Sequence, residues 1–469
     1  MTIKFGTSGW RGIIADEFTF DNVRAVTGAI CQYLQTIAAD RENASVIVGY
    51  DTRFLGEQLA ALAAKQISES GFRALLCQNA VPTPTVAHAI RQQKALGGII
   101  FTASHNPPEY NGMKFSTADG APAPPEVTRQ IEQFLNQKDQ NSLVSSHTNV
   151  VQPEPFDPRP AYLAELETKI RFDIIARAGG RYGYDPLWGT GRGYLNEILR
   201  RHDLMVETLH DWRDALFGGA GPDPTGANRL DELRAAVLQN KYTLGLSTDG
   251  DADRFGIIDA DGTLLAANQI LALLFDYLAE SRGWTDGVAR SVATSHLVDR
   301  VAAARALPVY ETPVGFKFIG EYIVENKIIL GGEESAGLTI KGHVPEKDGI
   351  LACLLAAEAV AARGASLGEQ LEDLYRRVGR LESGRAGVPL TPAAQSQLND
   401  KLHRDPAEIN QRPVLQINRL DGVKFIFANN AWMLLRASGT EPLVRIYAEA
   451  ETLDEVNALL ADGRQYLLG

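Results

Sequence analysis

Three aspartates stand at alternate positions in Thr248-Asp249-Gly250-Asp251-Ala252-Asp253-Arg254, directly after the apolar run Leu244 to Ser247. Their carboxylates can turn toward one hard cation, and oxygen donors at this density suit Mg²⁺. A calcium EF-hand loop would need Gly at its sixth position and Glu at its twelfth, where this chain has Arg254 and Ala260. An aspartyl-phosphate site, with one of the three as nucleophile, and a solvated acidic turn are the other readings of the loop alone. A second stretch, Thr102-Ala103-Ser104-His105-Asn106-Pro107, sets a serine beside a histidine just past the apolar run Gly98 to Phe101, with Lys114 further on. His105 and Lys114 are donors for a phosphate on Ser104, and Asn106-Pro107-Pro108 fixes how the chain leaves the turn.

Three more stretches offer complementary groups. Gly331-Gly332-Glu333-Glu334-Ser335-Ala336-Gly337 lets backbone approach a ligand, and Glu333 and Ser335 present acceptors to hydroxyls such as a sugar carries. In Arg436-Ala437-Ser438-Gly439-Thr440-Glu441-Pro442 an arginine fork, two hydroxyls and backbone N–H groups suit a phosphate. Gly6-Thr7-Ser8-Gly9-Trp10-Arg11-Gly12 is a small-residue loop with one arginine, a candidate phosphate contact. Each of these, taken alone, is equally an ordinary turn.

Regular elements must hold these loops. Val23, Val26, Ile30, Tyr33, Leu34 and Ile37 follow helical spacing. Ser45 to Tyr50, Ala74 to Cys77 and Gly98 to Phe101 read as buried strands, and Glu57 to Ser70 as a helix closed by Gly71. The rhythm repeats: strand Arg181 to Asp185, glycine turn Gly189 to Gly193, helix Tyr194 to Arg200, strand Tyr242 to Ser247. It recurs as Val288 to Ala293, His296 to Ala306, Ile328 to Leu330 and a helix after Asp348. Such alternation predicts α/β layers. The proline-rich Pro153 to Pro160 is expected to form no regular element and to mark the first domain boundary. Closely spaced strands at Phe425 to Phe427, Trp432 to Leu435 and Val444 to Ala448, then a helix capped by Thr452 and Glu455, predict a smaller α+β unit.

At 469 residues the chain is long enough for about three domains or more. A composition of 45% hydrophobic and 22% charged residues supplies ample core and excludes disorder as the main state. The net charge of −12 argues against binding nucleic acid or an anionic membrane by bulk electrostatics. Cys31, Cys77 and Cys353 form neither a zinc spacing nor a disulfide framework. The N-terminus lacks a signal-peptide core, and the apolar run Ile350 to Ala362 is short for a span, so a cytoplasmic protein is expected.

The five loops, in this order from Thr7 to Arg445, resemble the α-D-phosphohexomutase family of phosphoglucomutases and phosphomannomutases. The resemblance implies three similar α/β domains, each a mixed sheet between helices, plus a smaller C-terminal α+β domain, around a central cleft. The expected boundaries are 1–150 with the phosphoserine loop, 151–255 with the metal loop, 256–372 with the sugar loop and 373–469 with the distal phosphate loop. It implies that Ser104 carries the phosphoryl group and, through it, completes a Mg²⁺ shell with Asp249, Asp251 and Asp253. Arg11, His105, Lys114 and Arg254 are implied to line the reacting centre, and Glu333 and Ser335 to read sugar hydroxyls. Arg436, Ser438, Gly439, Thr440 and Arg445 are implied to hold the phosphate that is not transferred. Gly-Glu-Glu-Ser-Ala-Gly resembles the glucose-specific branch, so glucose 1-phosphate and glucose 6-phosphate are the expected substrates, with glucose 1,6-bisphosphate as intermediate and activator. Phosphomannomutase or dual specificity is the alternative, as is a bisphosphate-forming relative. A monomer or weak homodimer is expected. From other classes, a phosphatase working through an aspartyl phosphate and a non-catalytic sugar-phosphate binder stay open.

Overall fold

The structure is a computed structural model of the chain and describes residues 3–6, 8–40, 43–137, 152–226, 228–389, 398, 401–437 and 443–468. The strand Ser45–Tyr50 is buried along its whole length, as an apolar run flanked by parallel neighbours must be. It is β2 of a six-stranded sheet that also contains β1 (Trp10–Ile13), β3 (Arg73–Cys77), β4 (Gly97–Phe101), β5 (Tyr110–Thr117) and β6 (Glu154–Phe156). The order is β1-β5-β4-β2-β3-β6. β4, β2, β3 and β6 run parallel, β5 runs antiparallel to β4, and β1 runs antiparallel to β5 and so in the direction of β4. The second sheet has β7 (Arg181–Asp185), β8 (Met205–Thr208), β9 (Leu244–Thr248) and β10 (Phe255–Asp259), in the order β10-β9-β7-β8. The third has β11 (Gly287–Ser291), β12 (Val309–Thr312), β13 (Ile328–Glu333) and β14 (Gly337–Ile340), in the order β12-β11-β13-β14.

The three sheets share one device. In each, a parallel strand turns back into an antiparallel neighbour: β4 into β5, β9 into β10 and β13 into β14. The Ser104 loop, the aspartate loop and the Glu333 loop occupy these three turns. Each therefore sits at the carboxyl end of a parallel strand, where α/β folds bind ligands.

The last sheet is wholly antiparallel. It joins β15 (Glu382–Pro389) to β18 (Gln416–Asn418), β19 (Val423–Ile426), β20 (Trp432–Ala437) and β21 (Leu443–Ala450) in the order β15-β21-β20-β19-β18. A small pair, β16 (Glu408–Ile409) and β17 (Arg412–Pro413), lies apart, and the helix Leu453–Leu468 follows β21. The Thr452 hydroxyl accepts the Glu455 N–H, as the capping pattern predicts.

One hydrophobic cluster spans the second and third sheets. Its centre is the helix Gly349–Arg363, apolar on nearly all sides and buried accordingly. A second cluster, with Val292, Ala293, Trp432, Leu434 and Tyr447, glues the third sheet to the last. The three cysteines are free and buried, and burial pushes the Cys31 thiol up to about 11 and that of Cys77 up to about 12. Among the described residues no single helix is long and apolar enough to cross a membrane.

One expectation fails. Pro153 to Pro160 does form regular structure: Glu154–Phe156 is the edge strand β6, and the helix Arg159–Lys169 begins with Pro160 in its first turn. Proline is tolerated at both places, because an outward N–H is not needed on an edge and the first helical N–H groups have no partner anyway.

Candidate active site

Ser104 sits at φ 53° in the left-handed region, costly for a residue with a side chain. Two groups hold it there. Its N–H donates to the Thr102 hydroxyl at 2.9 Å, and its carbonyl accepts from the Arg53 guanidinium at 2.7 Å. Arg53 is fully buried and also donates to the carbonyls of Asn106, Pro107 and Tyr110. Asp51 orients it at 3.2 Å and accepts the Thr102 hydroxyl at 2.6 Å. One guanidinium thus shapes the whole Ser104 turn.

The Ser104 hydroxyl donates to Asp249 Oδ2 at 2.7 Å and lies 3.3 Å from His105 Nδ1. The carboxylates of Asp249, Asp251 and Asp253 are buried, and each offers an oxygen within 4.8 Å of the others. Ala252, at φ 55°, kinks the loop between them. Lys114 Nζ donates to Asp251 at 2.6 Å and Asp253 at 3.0 Å, and Lys347 Nζ pairs with Asp253 at 2.8 Å. The Thr83 hydroxyl adds a bond to Asp251. Asp251 Oδ1 and Asp253 Oδ1 remain buried without a hydrogen-bond partner. Such orphaned acceptors beside a third carboxylate fit a small divalent cation, and all-oxygen donors suit Mg²⁺.

Charge divides the triad. Burial, then Asp251 and Asp253, hold the Asp249 carboxyl well above the usual range. Burial also pushes Asp251 and Asp253 upward, but Lys114 draws both below their ordinary values, joined at Asp253 by Lys347 and Arg254. Arg254 donates its backbone N–H to Asp249 at 3.0 Å, and its buried side-chain Nε makes no hydrogen bond but lies 4.0 Å from Asp253 Oδ1. Arg11 donates to the Asn106 side chain, and burial and Arg254 lower its guanidinium to about 10. Burial and the neighbouring Arg254 and Arg11 drive His105 well below its ordinary value, so its imidazole is neutral. This cationic surround is built for an anion rather than for the serine hydroxyl it holds.

Glu333 ends β13 and accepts the Gly315 N–H at 2.8 Å. Burial, then Glu334, push its carboxyl up to about 7. Lys347 and Arg254 act on it electrostatically, which places the Glu333 turn beside the aspartate loop. Ser335 lies partly buried in the same turn. Arg436 lies near the end of β20: its Nε donates to Asp421 Oδ2 at 2.8 Å, and Val314 N–H, next to the Gly315 that Glu333 engages, donates to the same oxygen at 3.0 Å. Arg445 faces Arg436 across the β20–β21 pair. Ser438, Gly439 and Thr440 lie outside the described residues.

Sequence reasoning missed Arg53, Lys347, Thr83 and Asp421. Asp51-Thr52-Arg53 follows the carboxyl end of β2, so the rule that picked out Ser104 would have picked it too. Lys347 and Asp421 carry no local signal, because their partners lie far off in the chain.

Four descriptions match the chain in succession: phosphoglucomutase/phosphomannomutase α/β/α domain I over residues 2–142, domain II over 160–262, domain III over 266–378 and the C-terminal domain over 395–464. The phosphoglucomutase of Komagataeibacter xylinus is 28% identical, with 99% of this chain and 92% of that one covered. The phosphoglucosamine mutase of Frankia alni is 32% identical, with 96% and 95% covered. The crystal structure of a protein from Thermus thermophilus, named as a candidate phosphomannomutase, superposes with a TM-score of 0.85 at 32% identity over 100% of both chains. The chain belongs to the phosphoglucomutase/phosphomannomutase family of α-D-phosphohexomutases, and is a mutase of the isomerase class.

Proposed function

We propose that the protein interconverts glucose 1-phosphate and glucose 6-phosphate through a phosphorylated Ser104. The observation that carries this reading is the Ser104 hydroxyl, held 2.7 Å from Asp249 at the edge of three buried carboxylates. Phospho-Ser104 passes its phosphoryl group to the free hydroxyl of the hexose phosphate, giving glucose 1,6-bisphosphate. The sugar turns over, and the other phosphoryl group returns to Ser104. Transfer of this kind is chiefly positioning and charge neutralisation. Arg11, Lys114 and Arg254 surround the phosphoryl group, and neutral His105 lies within reach of Ser104 Oγ for proton movement. Asp249, Asp251 and Asp253 would hold Mg²⁺, with a phosphate oxygen on Ser104; when bound, the cation neutralises phosphoryl charge. Glu333 and Ser335 read the sugar hydroxyls, while Arg436, Ser438, Gly439, Thr440 and Arg445 hold the phosphate at rest.

The choice of glucose rests on the Glu333-Glu334-Ser335 turn; mannose and glucosamine phosphates, which relatives' names suggest, are the competing outcomes. The reading keeps four units in a cytoplasmic monomer or weak homodimer, but the expected cuts after 150, 255 and 372 move: β6 (Glu154–Phe156) stays with the first sheet, β10 (Phe255–Asp259) with the second, and the helix Leu367–Val378 is not divided. The test is product analysis from glucose, mannose and glucosamine 1-phosphates with Mg²⁺, with and without glucose 1,6-bisphosphate. Glucose 6-phosphate should form fastest, chelation should stop it, and mass spectrometry should find phosphate on Ser104. Faster conversion of another sugar overturns the substrate; net release of phosphate without an isomer overturns the mutase mechanism.

A further inference from the structure

The glycine turn Gly189-Thr190-Gly191-Arg192-Gly193 follows β7 as the other functional loops follow their strands, yet the mutase reading gives it no task. Two of its glycines have a packing reason. A Cβ at Gly189 would lie 2.7 Å from the Asp249 carbonyl, and one at Gly191 2.2 Å from the Tyr184 hydroxyl. That explains neither Thr190 nor Arg192. Thr190 is 2% exposed and its hydroxyl has no hydrogen-bond partner. The half-buried Arg192 guanidinium makes no hydrogen bond or ion pair among the described residues.

Both residues line a cavity of about 370 Å³ between the first and second sheets. Arg159 reaches it from the helix that follows β6, also without a side-chain partner among the described residues. Arg213 lines it too, but its charge is already matched by Glu57 at 2.6 Å. Asp157 and Asp211 complete the polar wall, and the rings of Tyr50 and Tyr194 add flat apolar surface. Unpaired guanidinium forks suit a phosphoryl group, and carboxylates beside rings suit hydroxyl groups on a carbon skeleton. Burial depresses the Arg192 guanidinium, with Asp211 and Arg213 also acting on it. An anion in the cavity would relieve that cost.

We propose that this cavity is a second ligand site, taking a small phosphorylated polyol with its phosphoryl group on Arg159, Arg192 and the Thr190 hydroxyl. Its floor is joined to the reacting centre: Thr190 N–H donates to the Gly250 carbonyl at 3.0 Å, and two residues beyond Val81, which lines the cavity, Thr83 N–H donates to the Asp251 carbonyl at 2.9 Å. A ligand here bridges the two sheets behind the aspartate loop, in a position to tune the enzyme without entering its active site.

Equilibrium dialysis of the full chain with glucose 6-phosphate tests this. The wild type should bind one equivalent per chain more than the Arg159→Gln/Arg192→Gln variant, and the variant's kcat/KM at low substrate should stay within about twofold of wild type. Thr190→Val, which keeps the volume and loses the hydroxyl, should weaken the extra equivalent. Glucose 6-phosphate should slow hydrogen exchange at 189–193 at a tenfold lower concentration than inorganic phosphate. Equal stoichiometry in wild type and double variant overturns the site, and equal potency of inorganic phosphate leaves an adventitious ion only and overturns the polyol assignment.

Discussion

Around Ser104, one buried guanidinium satisfies four carbonyl oxygens, and two of the three carboxylates, Asp251 and Asp253, share two lysines; around Arg436, among the described residues, a single carboxylate holds a single nitrogen. The first region is set before any substrate arrives, and its geometry depends on charges that water cannot reach. Among the described residues, the second engages only the Nε of its guanidinium, and in the proposed reaction the rest meets an incoming anion. In the proposed reaction this division is sensible. The transferred phosphoryl group must meet the same atoms on every cycle, whereas the far phosphate arrives in two orientations and needs a tolerant holder.

Removing the hydroxyl should give the largest effect. Ser104→Ala is expected to lower turnover by roughly 10³-fold or more, measured as steady-state isomer formation. Wild-type turnover would place the chemistry elsewhere.

Next comes the scaffold of the same region. Arg53→Ala would leave Asp51 buried without its cation and four carbonyls without their donor. Loss of one partner of a buried pair costs about 3–5 kcal/mol, so the first denaturant transition should fall by that order. Arg53→Lys should recover only part, since an ammonium cannot span four acceptors.

Glu333 probes the ground between the two regions. Its carboxyl titrates near 7 in the folded protein, above its ordinary value, mainly because burial disfavours the charge. The folded state therefore holds the proton more tightly. The stability this adds is full at acidic pH and is lost as pH rises through about 7. Glu333→Gln should remove about 2–3 kcal/mol of this pH dependence. Denaturation at pH 5 and pH 8 reads it, and an unchanged slope would mean that Glu333 is already ionised.

The tolerant region should give the smallest losses. Arg436→Ala is expected to cost roughly 10- to 150-fold in kcat/KM in both directions, the worth of a charge-assisted hydrogen bond of about 1.5–3 kcal/mol. Asp421→Asn, which only loosens Arg436, should cost less, at about 2- to 10-fold. A larger loss for Asp421→Asn than for Arg436→Ala would invert the comparison.

The same contrast bears on what the chain discloses before it folds. Strands such as Ser45–Tyr50 and Arg181–Asp185 were legible because their apolar runs end in glycine or polar turns, and the loops beyond them could then be read for chemistry. Ser104 and the aspartates share short local patterns. Arg53 did not stand out, because its four partners lie more than fifty residues ahead and a lone arginine after a strand reads as solvated. Lys347 meets Asp253 only after the third sheet packs on the second. The prolines of 153–160 misled because their effect depends on whether an N–H is needed, which only the sheet order decides.

That edge strand has a practical consequence for anyone dividing the molecule. Glu154–Phe156 belongs to the first sheet, where Gln78 N–H bonds to the Phe156 carbonyl and Arg73 grips Glu154 with two nitrogens. A fragment ending at residue 150 would leave β3, with Ala74, Leu75 and Leu76, as a bare border open to the next copy. Unpaired strands of that composition recruit one another into aggregates. Isolated first-unit protein should therefore stay in solution only when the cut falls beyond Phe156.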